Sequence, residues 1–310
     1  HLWLRSRELT AVFRIKATLL ACIRDFCKQQ GYVETTPPIL TTSAAEGGST
    51  LFELDYFGQK AYLSQSAQLH LEALIFSLEK VYAVTPSFRA EKSRTPKHLA
   101  EYWHFEAESA HAGNEDMMCF EEKFIEYACH RVATEHRKDL EILGRKAEDL
   151  FSVKAPFLRI RYSEAVKILH KKGAKFKEGD DFGANEETLL TENLIQPVFI
   201  THFPASMKPF YMKENPDGTA NNHDLLAPQG FGELVGGSER ETDLVRIERK
   251  LNAAGEKVEN YAWYLDLRRY GNVKHAGFGL GVERLVKWIC GLEHIRDATP
   301  FPRVINRAYP

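Results

Sequence analysis

Long apolar runs are missing from this chain, and so is any marked excess of charge. The 310 residues carry 41 Lys and Arg against 43 Asp and Glu, a formal net charge of −2. No stretch reads as a membrane span. A near-neutral chain has no general electrostatic grip on nucleic acid, although a local basic face can still hold one RNA. Cys22, Cys27, Cys119, Cys129 and Cys290 form an odd, scattered set without a C-x-x-C pair. Neither a disulfide framework nor a zinc site is suggested, and the set reads as reduced thiols in the cytosol. There is no Walker A sequence, and Gly277, Gly279 and Gly281 are not spaced as G-x-G-x-x-G, so P-loop and Rossmann folds are disfavoured. Repeats, low-complexity tracts and a signal peptide are also absent. The chain starts at His1 rather than Met, from which a fragment or a trimmed chain is expected.

What is there is ordinary for a globular protein, with 44% hydrophobic and 27% charged residues, and one α/β core with an insertion can use the whole length. Val12, Ile15, Leu19, Ile23 and Phe26 recur at steps of three and four, which predicts an amphipathic helix over 7–30 closed by Gly31. GYVETTPPIL (31–40) follows as a strand at the edge of the domain, since Pro37 and Pro38 do not suit a central ladder. A Gly- and Ser-rich segment (41–50) precedes short strands near 51–57 and 60–63 and a helix over 67–77. VYAVTPSFRAE and HLAEYWHFEAE, joined by KSRTPK, read as a long hairpin. Residues 115–149 look helical, and 150–200 look like an insertion of short helices and loops. Strand-like runs return at 197–201, 232–235, 262–266 and 276–281, before a helix over 282–290 capped by Gly291.

Three distant segments, 88–108, 223–240 and 277–284, are dense in Arg, Glu, His and Gly. Such a set suits a nucleotide whose phosphates need cations and whose metal needs hard oxygen ligands. Asp224 and Glu233 can supply carboxylates to Mg²⁺, Arg89 and Arg284 can neutralise phosphate oxygens, and Gly236 and Gly237 let backbone approach a ligand closely. Isolated charged residues on strands would otherwise read as a solvated sheet face.

These segments resemble a known family. FRAEKSRTPKHLAEYWHFEAE is similar to motif 2 of class II aminoacyl-tRNA synthetases, GFGLGVERL to motif 3, and GYVETTPPIL with its preceding helix to motif 1, all in order. HLAEYWHFEAE, HDLLAPQGFGELVGGSERE and YLDLRRYG bring the likeness nearest to the aspartyl/asparaginyl branch, and to asparaginyl enzymes most. The resemblance implies an α+β fold, an antiparallel sheet flanked by helices, with one catalytic domain over 1–310. Motif 1 would cover about 8–40, motif 2 about 81–108, an insertion about 115–195 and motif 3 about 275–291. The family's OB-fold anticodon-binding domain is expected to be absent, so that tRNA is held mainly by its acceptor end, with Arg94 and Lys97 as candidate contacts.

The resemblance also implies roles. Arg89 holds the α-phosphate and the substrate carboxylate, Glu91 reads the adenine amino group, Tyr102 stacks on adenine, His98 lies near the outer phosphates, and Arg284 grips the γ-phosphate. Asp224 and Glu233 match the acidic metal ligands, across a longer gap than aspartyl enzymes have. Glu46 would hold the amino group of the amino acid with Ser66 and Gln68 nearby, and its side chain would meet Arg240 and Glu106. A homodimer through motif 1 and Pro38 is implied, in the cytoplasm, with ATP and Mg²⁺ as cofactors and L-asparagine as substrate. Asparagine is expected because aspartyl enzymes of this kind carry a lysine where this chain has Leu71, and an unbalanced buried carboxylate costs roughly 3–5 kcal/mol. Two other readings stay open: an asparagine synthetase related to these enzymes, acting on aspartate, ATP and ammonia, and a catalytically silent paralogue that binds tRNA or a partner.

Overall fold

The structure is a computed structural model that describes residues 1–42, 45, 51–92, 95 and 97–310. It opens with α1 (Arg7–Gln29). Ser6 accepts the Leu9 N–H at 3.2 Å to start the helix, and Gly31, at φ +77°, ends it in the left-handed region that glycine favours. The expected stripe from Val12 to Phe26 is buried. There follow β1 (Val33–Glu34), β2 (Leu40–Thr41), β3 (Glu53–Tyr56), β4 (Gln59–Leu63) and α2 (Gln68–Leu78). Strands β2, β4 and β3 make a small sheet of their own. The long hairpin is β5 (Lys80–Phe88) and β6 (Glu101–Ala110), in register from Lys80 opposite Ser109 to Phe88 opposite Glu101. Arg89 and Glu91 lie just beyond the end of β5.

The stretch expected as an insertion holds α3 (Asn114–Glu135), α4 (Arg137–Ile142), α5 (Ala147–Phe151), β7 (Leu158–Arg161), α6 (Tyr162–Lys171) and α7 (Ala184–Thr191). Within it, α3 packs Met117, Phe120 and Phe124 into the main core, and β7 forms the far edge of the main sheet. The remaining elements are β8 (Val198–Thr201), β9 (Asn222–Ala227), β10 (Gly232–Glu239), α8 (Leu244–Ala253), α9 (Ala262–Arg269), β11 (His275–Gly281) and α10 (Val282–Cys290). The run 262–266, read as a strand, is the start of α9 instead. Its buried positions are Tyr264, Leu265 and Arg268, the spacing of a helix, and a short aromatic-rich run does not separate the two periods. Strand β9 shows no alternation because Leu225, Leu226 and Ala227 are all buried. Among the described residues no helix is long and apolar enough to cross a membrane.

Eight strands form the main sheet in the order β1-β5-β6-β11-β10-β9-β8-β7. From β5 to β8 the neighbours are antiparallel, as expected. At both edges the pairing is parallel, β1 on β5 and β7 on β8, which makes the sheet mixed. Strand alternation then assigns the two faces. Phe105 and Ala107 of β6 and Ala276, Phe278 and Leu280 of β11 are buried with α1, α3 and α10. The Phe105 ring lies 5.4 Å from that of Phe124 and 5.2 Å from that of Phe278. The intervening residues, His104, Glu106 and Glu108 opposite Gly281, Gly279 and Gly277, occupy the other face. Beyond His275, three glycines at alternate positions leave that face of β11 without side chains, and this bare strip runs into the floor of a cleft.

Candidate active site

The cleft encloses about 560 Å³. Two of its walls are carboxylates. Asp224 stands opposite Gly236 in the β9–β10 register, whereas Glu233, three residues before Gly236, would point to the other face of a regular strand. A register shift between Glu233 and Val235 places Leu234 as an extra residue and returns Glu233 to the side of Asp224. A Cβ on Gly236 would lie 3.6 Å from Asp224 Oδ1 and 3.7 Å from Glu233 Oε1, so glycine keeps the space between the two carboxylates open.

The cations come from three elements. Arg284, in the first turn of α10, reaches Glu233 Oε2 at 2.9 Å. Burial opposes a charge on Glu233, yet Arg284, with Arg89 and Lys208, outweighs it and holds this carboxyl well below its usual range. On Asp224 burial prevails and, helped by the charge on Glu233, pushes the carboxyl up, although Lys208 Nζ is 3.3 Å away. Two adjacent carboxylates of which one resists ionisation describe a site short of positive charge. Arg89 lines the same cleft, its guanidinium 5.8 Å from the centroid of the Tyr102 ring. His98 is also in the wall, kept below its usual range by burial and by Arg284. Its Nε2 is 3.8 Å from Glu91 Oε2, and Glu91 itself is not part of the wall.

A second group of cleft residues gathers around Glu106 and Arg240. Glu106 accepts from the Ser66 hydroxyl and, at 2.9 Å, from the Ala67 N–H. Gln68 donates to Glu72 at 3.0 Å. Glu72 is fully buried and accepts also from Tyr264 Oη at 2.7 Å, Arg268 Nη2 at 2.7 Å and His275 Nε2 at 2.9 Å. Arg240 is bound side-on by Glu108: its Nε lies 3.0 and 3.3 Å from the two carboxylate oxygens, and its Nη2 donates to Oε1. Its Nη1 donates to Ser238 Oγ at 2.7 Å.

The cleft therefore brings together Ser66, Gln68, Arg89, His98, Tyr102, Glu106, Asp224, Glu233, Arg240 and Arg284, all candidates from the sequence. Glu46 and Arg94 lie outside the described residues. Leu71 is fully buried against Ile75, Val81 and Ala83 and takes no part in the wall. The charge around Arg240 is set instead by Glu108. The motif comparison does not single out Glu108, although alternation along β6 puts it on the face of Tyr102, His104 and Glu106. Lys208, in the loop before β9, has no local pattern that announces it.

The sequence model of tRNA synthetases class II (D, K and N) matches residues 1–305. The chain belongs to this family, in its asparaginyl branch. The asparagine–tRNA ligases of Thermoplasma acidophilum and Pyrococcus abyssi are 48% and 49% identical to the synthetase over 312 residues, matching 100% of this chain and 73% and 72% of their own. The crystal structure of asparaginyl-tRNA synthetase from Pyrococcus horikoshii complexed with asparaginyl-adenylate has a TM-score of 0.98 at 48% identity, covering 100% of this chain and 72% of that one. As a class II synthetase the chain is a ligase of the aminoacyl-tRNA type, and its glycine-floored cleft is the candidate place of the reaction.

Proposed function

We propose that this synthetase activates L-asparagine with ATP and Mg²⁺ and transfers it to the 3′ end of tRNA, using the cleft residues described. The observation that carries asparagine over aspartate is the Glu108–Arg240 pair. An aspartate β-carboxylate would meet an arginine already engaged side-on by Glu108, a carboxyl that burial pushes up to about 7 and that Arg240 pulls back towards its charged form, with Glu106 alongside. A carboxamide brings no charge. Its oxygen can accept from the two Arg240 N–H groups that the bonds among described residues leave over, and its NH₂ can donate to Glu106.

Asp224 and Glu233 would hold Mg²⁺. They are two hard-oxygen ligands flanking a space that Gly236 keeps open, a set that leaves further coordination positions to phosphates and water. Among the described residues no group of three or more His, Cys, Asp or Glu could hold a metal alone. When bound, the ion supplies neutralising charge to the phosphates. The protein's own part is positional and electrostatic. An oxygen of the asparagine carboxylate attacks the α-phosphorus in line, the bond to the bridging oxygen breaks, and pyrophosphate leaves. Arg89 stabilises the charge on the α-phosphoryl oxygens and Arg284 that on the leaving group, with Tyr102 stacked on adenine, Glu91 at the adenine amino group and His98 near the outer phosphates. No side chain acts as nucleophile. In the second step a terminal ribose hydroxyl of tRNA attacks the adenylate carbonyl and AMP departs.

A homodimer through motif 1 is part of this reading. It is supported by Val33, Ile39 and Leu40, which are 44%, 37% and 44% exposed beside edge strand β1, and by the exposed Pro38. A cytoplasmic location accords with five free cysteines. The asparagine synthetase and silent-module readings are not favoured, since the relatives named are asparagine–tRNA ligases and both arginines and both carboxylates are in place. The deciding experiment incubates the chain with ATP and Mg²⁺, in one arm with labelled asparagine and tRNA and in the other with labelled aspartate and ammonia. Asparaginylated tRNA is the expected product, whereas free asparagine made from aspartate and ammonia would reverse the order of the readings.

A further inference from the structure

Helix α7 sits across the turn between β9 and β10: the Gln229 N–H donates to Thr191 O at 2.9 Å, and the Thr188 hydroxyl, which donates to Ala184 O at 2.8 Å, lies 3.3 Å from Gly230 O. From the first turn of α7, Glu187 Oε2 reaches two partners that belong to different parts of the cleft. It accepts from Lys97 Nζ at 2.8 Å and from the backbone N–H of Glu233 at 3.0 Å. The Glu187 and Lys97 side chains are each 13% exposed, so the contact is largely out of solvent. The chain makes room for it at Gly232, which holds φ +79° and where a Cβ would fall 2.1 Å from Glu187 Oε2 and 2.4 Å from Lys97 Nζ. Lys97 lines the cleft and precedes His98, and Glu233 is one of the two converging carboxylates. One carboxylate from a segment to which the motifs assign no role thus joins the motif 2 loop to the acidic strand.

We propose that Glu187 is a positioning residue for the outer phosphates of ATP. It acts through Lys97 and Glu233, holding the loop that carries Lys97 and His98 at a fixed distance from the Asp224–Glu233 pair, so that binding need not order a long, freely rotating lysine. The inference rests on the proposed reaction only in taking ATP as the phosphate-bearing substrate.

The test is calorimetric titration of the whole chain with Mg–ATP, in wild type, Glu187→Gln, Lys97→Met and the double variant. Glutamine keeps an oxygen for the Glu233 N–H and removes the charge that fixes Lys97. We expect Glu187→Gln to weaken Mg–ATP binding by about tenfold, with asparagine affinity unchanged, and the double variant to lose no more than Lys97→Met alone. Unchanged Mg–ATP affinity in Glu187→Gln would overturn the proposal. So would additive losses, or an equal loss for ATP and asparagine together with a lower melting temperature, which would mark a merely structural role. Because the titration needs no amino acid, wild type that binds Mg–ATP but shows no asparagine-dependent activation would count against the proposed specificity and not against Glu187.

Discussion

Glu108 and Arg240 pair across an intervening strand. Glu108 sits on β6 and Arg240 just past the end of β10, and their contact passes over Gly277 of β11, where a Cβ would fall 2.1 Å from Glu108 Oε1. Neither partner is more than 3% exposed. Gly277→Ala should therefore displace the carboxylate, tilt the guanidinium and, because the Cβ would also fall 2.4 Å from the Ala107 carbonyl oxygen, push β11 away from β6. The expected cost is about 1–3 kcal/mol of stability from overpacking, with the KM for asparagine raised and that for ATP little changed. Steady-state kinetics of both substrates, read beside a melting curve, checks the split.

Removing the charge on Glu108 should change which amino acid is accepted. In Glu108→Gln the guanidinium keeps a hydrogen-bond partner and loses its paired carboxylate, with only the more distant charge of Glu72 left to oppose it, which suits a β-carboxylate. The ratio of kcat/KM for aspartate to that for asparagine is expected to rise by about tenfold, the effect of roughly 1.4 kcal/mol. An unchanged ratio would mean that selectivity is set elsewhere.

At the phosphate end, Arg284→Ala should lower kcat/KM for activation by about two orders of magnitude, the scale seen when one preorganised donor to developing charge is removed. It also removes the partner that keeps Glu233 ionised. Metal dependence follows from the same pair of carboxylates: chelation should abolish activation, and added Mg²⁺ should restore it.

Glu72 gives a prediction about pH. Burial works against its charge, but Arg268 and His275 outweigh it and hold the carboxyl well below its ordinary value of 4.5. Its contribution to stability is thus complete above pH 4.5 and is lost as the pH falls towards the folded-state value. Glu72→Gln leaves Arg268 buried without its counter-ion, at a cost of about 3–5 kcal/mol near neutrality. Melting curves of the two proteins should lie far apart at pH 7 and converge as the pH drops below 4.5. A gap that stays constant through acid would show that Glu72 is not ionised in the fold.

The sequence makes local things legible. The stripe of α1, the β5–β6 hairpin and the glycines of β11 each follow from spacing within one element, and ten cleft residues were reachable by motif. What it hides arises between elements or at irregularities. The bulge that turns Glu233 towards Asp224 leaves no mark in the spacing, which by itself puts the two on opposite faces. The 262–266 run carries as many strand-forming as helix-forming residues, and the turn of α9 is decided by Tyr264 and Arg268 reaching the buried Glu72. Leu71 is informative by contrast: the resemblance made it the expected key to selectivity, and it is a core residue, while the acid paired with Arg240 is Glu108, which only the third dimension brings to it.

The most direct measurement of the central claim is ATP–pyrophosphate exchange with Mg²⁺, L-asparagine and L-aspartate supplied separately, because it isolates adenylate formation from any dependence on tRNA. The account predicts exchange with asparagine and little with aspartate. Exchange with aspartate alone would contradict the assignment of the Glu108–Arg240 pair, and exchange with neither would contradict catalysis by this cleft.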